Sequence, residues 1–300
     1  MPRSHPPTLL TLVSRTLREE CAIGPGAKVL LAVSGGGDSM ALLHTLALLR
    51  QKLKFELITC GVDHGLRAEA HQELDLAASF ASSLGIPFTR VNLSVARGSN
   101  LQARARDARY GALRRVAAES GAAFLATAHH AEDRAETVLE RLLRGAGPRG
   151  LSVLPPRDGS LIRPMIRAGK SAVLAHLARH RVPFSTDPSN LDPRFLRVRI
   201  RHELLPLLAE LSPGIVLHLN SLADQLSSGD VPVVHDARGG AIALGRAQID
   251  QLQRARKLGR KSLTLRVAGG LEVRLEAASG RLESVGARLT PRKNKKSERH

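Results

Sequence analysis

The sequence is poor in cysteine and in aromatic residues. Its 300 residues include two cysteines, Cys21 and Cys60, and no C-x-x-C motif. This excludes a disulfide framework, a zinc ribbon and a cysteine-ligated iron–sulfur cluster. Aromatic residues make up 2% of the chain, and tryptophan is absent. Proteins that bind single strands by base stacking normally carry more aromatic side chains, so stacking is not expected to dominate any nucleic-acid contact.

Long apolar runs and acidic residues are also scarce. No run reaches the roughly 18 apolar residues that cross a bilayer, and the N-terminal stretch Thr8–Val13 is short for a signal peptide. We therefore expect a cytosolic protein with no membrane partner. Asp and Glu number 27 against 45 Lys and Arg, which gives a net charge of +18. This balance predicts a polyanionic partner; the alternative is an arginine-rich composition that comes from GC-rich coding.

One glycine-rich stretch organises the first part of the chain. An apolar run over Lys28–Val33 predicts a buried strand, and apolar residues from Met40 to Leu46 recur at helical spacing. Between them lies Ser34–Ser39, SGGGDS. A strand, a glycine turn and a helix N-terminus form a phosphate cradle, because unpaired N–H groups and the positive end of the helix dipole face the anion. The alternative is a plain turn at the end of a strand.

Strands and helices alternate as far as residue 168. Further strands are predicted over Phe55–Val62, Pro87–Leu93, Phe124–Ala128 and Leu161–Ile166. These strands are apolar on both faces, which is typical of a parallel sheet covered by helices on both sides. The sequence predicts an α/β fold with a Rossmann-like, doubly wound parallel sheet over residues 1–168.

A helical extension is predicted over residues 169–226. Its helices are expected at Ser171–His180, at Phe195–Leu211 with an interruption near Pro206, and at Pro213–Leu226. A linker over Ser227–Arg238 is then predicted from its Gly, Ser and Pro content.

The last part of the chain is predicted to be a small α+β region over residues 239–290. Leu263–Val267 and Leu271–Ala277 alternate apolar and polar residues and are expected to form a hairpin. The tail, residues 291–300, is basic and is expected to be disordered.

Polar clusters follow two of the predicted strands, at the sheet edge where open α/β folds bind ligands. Asp63–Arg67 (DHGLR) follows the second strand, and His129 and Asp133 follow the fourth. Because His129 and Asp133 are four residues apart at the start of a predicted helix, we expect them to share a face. Such a pair can bind a metal, position a base or accept a proton. The alternatives are a satisfied buried histidine and an acidic residue that stabilises a helix N-terminus.

Two arginine pairs also have helical spacing. Arg106 and Arg109 lie on a helix predicted from Asn100, its N-cap, to Ser120. They suit a phosphate or a carboxylate, or they form a solvated helix face. Arg197 and Arg201 suit bidentate phosphate binding, and the alternative is a plain basic helix.

These motifs together resemble the tRNA(Ile)-lysidine synthetase family of PP-loop ATP pyrophosphatases. DHGLR and DPSN, at 187–190, are specific to that family, whereas the other motifs indicate only a PP-loop ATPase. The chain departs from the family at Glu132, where an aspartate is usual, and at Val198, where an asparagine is usual. The matching stretches run in family order over about the first 210 residues: Ser34–Ser39, Asp63–Arg67, Ala105–Tyr110, His129–Thr137, Arg144–Leu151 and Asp187–Leu205.

The resemblance implies that ATP is used to join free L-lysine to a cytidine in the anticodon of tRNA(Ile). ATP would bind at Ser34, Gly35, Gly36, Gly37, Asp38 and Ser39, with Mg²⁺ at Asp38 unless that carboxylate only caps the turn. Catalysis would involve Asp38, His129 and Asp133. Contacts with tRNA or lysine would come from Asp63, His64, Arg67, Arg106, Arg109, Arg197 and Arg201. Lys170 and Arg179 are further candidates for tRNA contact.

Three other functions fit the same residues less well. A PP-loop tRNA thiolase normally needs cysteines that hold sulfur or a cluster, and Cys21 and Cys60 do not supply such a set. A synthetase acting on small molecules has no evident need for a charge of +18. A non-catalytic RNA-binding module has no use for Asp38, His129 and Asp133 together.

Overall fold

A computed structural model of the chain describes two compact units, residues 1–227 and 228–300. The predicted site residues His64 and Arg67, the helix cap Asn100, the DPSN motif and the tail 291–300 lie outside the described residues. The described residues are 7–63, 65, 69–93, 101–185, 195–227, 233–235, 241–243, 248, 251–252, 254–255, 258–266, 272–276 and 282–285.

The first unit contains a six-stranded sheet with the order β3-β2-β1-β4-β6-β5. All neighbouring strands are parallel except β5 and β6, which are antiparallel. This confirms the doubly wound α/β fold and adds an antiparallel edge to it. The strands are β1 (Lys28–Ala32), β2 (Glu56–Asp63), β3 (Phe88–Asn92), β4 (Phe124–Ala126), β5 (Arg157–Asp158) and β6 (Leu161–Ile162).

The predicted strand Leu161–Ile166 is wrong beyond Ile162. After β6 the chain enters a turn at Pro164, in which Met165 and Ile166 are completely buried. An apolar run that fills the core from a turn has the same composition as a buried strand, so the pattern alone does not separate the two.

Helices cover both faces of the sheet. Val29 and Leu31 of β1 belong to one core cluster, whereas Leu30 points to the other face and packs with Leu113 and Val116. This alternation explains why the strands are apolar throughout. The helices of this part are α1 (Leu9–Glu19), α2 (Gly37–Leu53), α3 (Glu69–Ser83), α4 (Leu101–Glu119), α5 (Ala131–Leu143), α6 (Pro148–Leu151) and α7 (Lys170–His180).

After α7, the helical extension continues with α8 (Leu196–Arg199), a π-helical turn (Ile200–Leu204), α9 (Leu205–Leu211) and α10 (Ile215–Ser227). The irregular turn ends two residues before Pro206, which has no N–H to donate to the preceding turn. No single helix among the described residues is long and apolar enough to span a bilayer. The segments Leu196–Leu211 and Ile215–Ser227 pass that test only as a pair, bent by 99°.

The second unit contains antiparallel strands. The strands β9 (Ser262–Arg266) and β10 (Glu272–Glu276) pair at the position of the predicted hairpin, and β11 (Leu282–Val285) adds a third strand. The predicted linker is wrong at β7 (Val233–His235), which pairs with β8 (Ala241–Ala243). The two valines of β7 favour a strand, although loop-forming residues surround them.

Candidate functional site

The glycine-rich turn lies between β1 and α2, beside a cavity of about 630 Å³. Gly35 has φ +83°, and a Cβ there would lie 2.4 Å from the carbonyl oxygen of Glu73. Gly36 has more space, because its nearest neighbour would be Ser34 Oγ at 3.6 Å. Gly35 is therefore required by the backbone conformation, whereas Gly36 leaves the backbone open to the cavity that it lines.

The two serines of the turn hydrogen-bond within it. Ser39 Oγ donates to the carbonyl of Gly36 at 2.9 Å and accepts from the backbone N–H of Ser34 at 3.2 Å. The backbone N–H of Ser185 donates to the carbonyl of Gly35 at 2.9 Å. The first N–H groups of α2 have no intrahelical acceptor. The turn is thus braced by its own side chains while these amides stay available to an anion.

The cavity brings together residues from distant parts of the sequence. Among the predicted site residues, the loop residues except Gly35 line it together with Arg109, His129, Asp133 and Arg201. Asp63, Arg106 and Arg197 are not part of its wall. The other lining residues include Cys60, Tyr110, Thr127, Lys170, Phe184 and Ser185.

Asp38 belongs to a network of charged groups. The Lys170 ammonium donates to Asp38 Oδ1 at 2.6 Å, and His130 Nε2 lies 3.7 Å from Asp38 Oδ2. His130 also lies 3.4 Å from Asp133 Oδ2 and 3.0 Å from Glu132 Oε2. Burial alone would lower the pKa of His130, but its hydrogen bond with Glu132 and the charges of Asp133 and Asp38 outweigh burial and raise that pKa.

The residues around Asp38 fit a magnesium ion that takes most of its ligands from phosphate. Nucleotide-bound Mg²⁺ commonly uses one or two carboxylates besides phosphate oxygens and water, and Asp38 supplies one carboxylate at the loop. The N-cap residue of α2 is Gly36, and Asp38 lies in the first turn of the helix. In the part of the chain that the structure describes, no three His, Cys, Asp or Glu side chains are grouped to hold a metal by themselves.

His129 lies before α5 and not within it. The helix starts at Ala131 with His130 as its N-cap, so the prediction that His129 and Asp133 share a helical face is wrong. Both residues nevertheless line the same cavity. Burial lowers the pKa of His129 to about 3, and Thr127 Oγ1 lies 3.0 Å from its Nδ1. The His129 imidazole is therefore neutral at physiological pH.

Asp133 and Glu136 are held by two arginines of the helical extension. Arg201 Nε lies 2.6 Å from Glu136 Oε1, and Arg197 Nε lies 3.1 Å from Glu136 Oε2. Both guanidinium groups also reach Asp133 Oδ1 at 3.1 Å. Burial would raise the pKa of Asp133, but the charges of His130 and Arg197 outweigh burial and lower it. The predicted phosphate-binding arginines thus bind the carboxylates of α5 in this structure.

The other predicted arginines and Asp63 have separate environments. Arg106 is exposed, with its guanidinium carbon 5.2 Å from the centre of the Tyr110 ring. Arg109 lines the cavity, where burial lowers its pKa, and no described carboxylate lies within ion-pair distance of it. Asp63 ends β2 and accepts a hydrogen bond from the backbone N–H of Gly65 at 2.8 Å, which shapes the start of the DHGLR stretch.

Sequence reasoning gave too little weight to Glu132, Glu136 and Lys170. Glu132 departs from the family pattern, Glu136 fits an ordinary helix N-terminus, and Lys170 was predicted only as a tRNA contact. One pattern in the sequence could have indicated the ion pairs between these helices. Acidic residues at 132, 133 and 136 begin one helix, while Arg197 and Arg201, four apart, repeat on another.

The chain also matches known sequences and structures. In sequence it is similar to curated tRNA(Ile)-lysidine synthases: it is 37% identical to that of Geobacter sulfurreducens over 80% of this chain and 55% of the other. It is 42% identical to that of Symbiobacterium thermophilum over 69% and 45% of the two chains. It is 45% identical to that of Rhodopseudomonas palustris over 60% and 54%. The chain thus spans about half the length of the curated relatives it matches.

A solved structure shares the fold. The U34-tRNA thiolase NcsA from Methanococcus maripaludis, determined with its 4Fe-4S cluster, superimposes with a TM-score of 0.63 at 21% identity, over 74% of this chain and 79% of that one. A family model described as a PP-loop domain matches residues 10–208. That match covers the glycine loop, the whole parallel sheet and the charged cluster around Asp133. The chain therefore belongs to the PP-loop domain family.

Proposed function

We propose that this chain is an ATP-dependent ligase that joins L-lysine to C2 of the wobble cytidine in the CAU anticodon of tRNA(Ile). The observation that carries the proposal is that the glycine loop, His129 and Asp133 line one and the same cavity. The similarity to curated tRNA(Ile)-lysidine synthases supports the choice of substrates.

The triphosphate of ATP would bind at the start of α2. The amides of Gly36 and Gly37 border the cavity, and the N-terminus of a 17-residue helix favours an anion there. Asp38 would hold a Mg²⁺ ion together with the phosphates, and the bound ion would neutralise phosphate charge.

The reaction proceeds in two steps, adenylation of the cytidine and displacement of AMP by lysine. The C2 oxygen of cytidine attacks the α-phosphorus of ATP, and the bond to the bridging oxygen breaks so that pyrophosphate leaves. The unprotonated ε-amine of lysine then attacks C2, its proton passes to solvent through the open cavity, and the C2–O bond breaks so that AMP leaves with the former C2 oxygen. Positioning and charge neutralisation supply most of the acceleration in phosphoryl-transfer chemistry of this kind.

The cavity offers complementary groups to a lysine molecule. Arg109 has no described carboxylate partner and would pair with the α-carboxylate of lysine. His129 stays neutral, so a ring nitrogen can accept a hydrogen bond from the ε-amine. Asp133 lies at the same wall and would draw the amine towards the reacting carbon. Arg106 is exposed outside the cavity and suits a tRNA phosphate instead.

The tRNA would bind mainly through its backbone. The chain carries a net charge of +18, which favours binding to a polyanion through counterion release. The helical segment 169–226, including Arg179, is the proposed contact region. The proposal places the enzyme in the cytoplasm, where its tRNA is.

Thiolation is the second candidate, because the solved neighbour is a tRNA thiolase. The cysteines argue against it. Cys60 lines the cavity but is completely buried, and burial raises its pKa to about 11. Burial also raises the pKa of Cys21 to about 12. Both sulfurs are therefore protonated thiols, whereas sulfur transfer requires a thiolate.

Transfer of labelled lysine into RNA tests the proposal. The protein is incubated with ATP, Mg²⁺, radiolabelled lysine and bulk bacterial tRNA, and the label in precipitated RNA is counted. We expect label only when ATP is present, with pyrophosphate released in equal amount. The proposal would be contradicted if label entered RNA without ATP, or if the rate of pyrophosphate release did not depend on tRNA or lysine.

Asp38→Ala tests the phosphate loop within the same assay. We expect it to abolish pyrophosphate release while tRNA binding in a filter assay stays near normal. Asp158→Ala is the matched control, because Asp158 is an exposed carboxylate at the sheet edge. Normal turnover by Asp38→Ala would remove the proposed role of the loop carboxylate.

A further inference from the structure

Glu132 links the starts of two helices at the cavity. It lies in the first turn of α5, and both of its carboxylate oxygens lie 2.9 Å from the backbone N–H of Lys170, the first residue of α7. One of these oxygens also lies 3.0 Å from His130 Nδ1. Glu132 thus supplies the N-terminal cap of α7.

The cap comes from another helix because α7 has none of its own. The N-cap residue of α7 is Gly169, which has no side chain to accept a hydrogen bond. A Cβ at Gly169 would lie 3.4 Å from Glu132 Oε1, so the carboxylate occupies the space next to this glycine. The position of the first residue of α7 is therefore set by Glu132.

That first residue carries an ammonium group that lies beside the glycine loop. Lys170 Nζ lies 2.6 Å from Asp38 Oδ1, and Lys170 lines the cavity together with Gly36 and Gly37. The Lys170 side chain is 41% exposed and lines the cavity, so a ligand there can reach it.

We propose that Lys170 is a catalytic residue that binds the phosphates of ATP, and that Glu132 is the positioning residue that holds it there. The proposal deepens the proposed function, on which it rests for the reaction. A triphosphate on the loop amides offers Lys170 an anion of higher charge than the Asp38 carboxylate. The ammonium would move from Asp38 to the phosphate oxygens and leave Asp38 to a cation.

The role of Lys170 follows from the position at which negative charge develops during the reaction. When the α-phosphorus is attacked, negative charge accumulates on the departing pyrophosphate. An ammonium held beside the loop stabilises that charge, and a fixed backbone position keeps the ammonium within reach of the phosphates. Glu132 supplies the fixed position through the backbone, because it pins the N–H of Lys170 and leaves the side chain free to reach the phosphates.

A double-mutant cycle on nucleotide binding is the test. The probe is the ATP analogue with a methylene group between its α- and β-phosphates, with Mg²⁺, measured by titration calorimetry. We expect Lys170→Ala and Glu132→Ala each to weaken binding about 10-fold, or about 1.4 kcal/mol. The double variant should bind no more weakly than Lys170→Ala alone, because Glu132 acts through Lys170. Full affinity in Lys170→Ala, or losses that multiply in the double variant, would overturn the proposal.

Two further variants separate positioning from general stability. Glu132→Gln keeps one oxygen that accepts from the Lys170 N–H, so it should bind the analogue within about 3-fold of the original chain. If Glu132→Ala does not fold, the binding measurement on Glu132→Gln still tests the role of residue 132. Glu140→Ala, on the same helix, removes only the ion pair with Arg144 and is the matched control. A loss in Glu132→Gln equal to that in Glu132→Ala would contradict backbone positioning.

The rate of pyrophosphate release gives a second readout. With tRNA and lysine present, Lys170→Ala should lower kcat at least about 100-fold, because it removes a charge that is needed in the transition state. Glu132→Gln should retain most of the rate. The binding cycle does not require tRNA or lysine. If the original chain binds the analogue but never transfers lysine, the proposed function fails while the roles of Lys170 and Glu132 are still decided.

Discussion

Acidification should destabilise the contact between α2 and α7. His176 of α7 is 6% exposed, and its Nε2 lies 2.9 Å from His44 Nδ1 and 3.3 Å from Thr45 Oγ1. The ring of His180 is 4.5 Å away between centroids. Burial lowers the pKa of His176 to about 4, and the neighbouring histidines add to the effect.

The direction and the magnitude of this change in the free energy of unfolding follow from proton linkage. An unfolded histidine has a pKa of about 6.5, so between pH 6.5 and 4 the unfolded chain binds more protons at this site than the folded chain. Stability must then fall as the pH falls through this window. At pH 5 the two pKa values give a loss of about 2 kcal/mol relative to pH 7 from His176 alone.

Urea unfolding followed by far-ultraviolet circular dichroism measures this loss. We compare the original chain with His176→Gln, which keeps a polar group for His44 and Thr45 but does not titrate. The original chain should lose about 2 kcal/mol more than His176→Gln between pH 7 and pH 5. His218→Gln, at an exposed position of α10, should behave like the original chain. An equal pH dependence in all three proteins would refute the reasoning.

Three further predictions concern the loop, the charged cluster and tRNA. Gly35→Ala should lower the free energy of unfolding by roughly 2 kcal/mol, because its φ is +83° and the new Cβ meets backbone. In thermal melts Gly36→Ala should change little, and equal losses in both would contradict the loop geometry. Glu136→Gln should cost about 3 kcal/mol in urea unfolding, because Arg197 and Arg201 lose a buried partner; a cost below about 1 kcal/mol would refute that pairing. Affinity for tRNA should fall at least about 100-fold between 50 and 200 mM salt, and a flat response would exclude phosphate contacts.

The sequence predicted the sheet and the loop because both depend on local patterns. A parallel strand buried on both faces needs a continuous apolar run, as in β1, so its position is visible without knowledge of the fold. The loop is equally local, because the positive φ of Gly35 requires glycine at that residue. The edge of the sheet was predicted less well, because the buried turn residues Met165 and Ile166 have the composition of a strand.

The arrangement of charges in the site could not be predicted in the same way. Arg197 and Arg201 suit phosphate in isolation, and only the packing of the helical extension against α5 reveals Asp133 and Glu136 as their partners. Likewise, the spacing of His129 and Asp133 suggested one helix, but helix α5 begins only after His130. Contacts between residues far apart in sequence depend on tertiary structure, which motif spacing does not contain.

The central claim is that the glycine loop holds a triphosphate with its α-phosphorus towards His129 and Asp133. A crystal structure with Mg²⁺ and the methylene analogue of ATP tests it most directly. We expect phosphate oxygens on the amides of Gly36 and Gly37, and an open path from the α-phosphorus to the wall formed by His129 and Asp133. An analogue bound elsewhere, with the loop free of phosphate, would contradict the account.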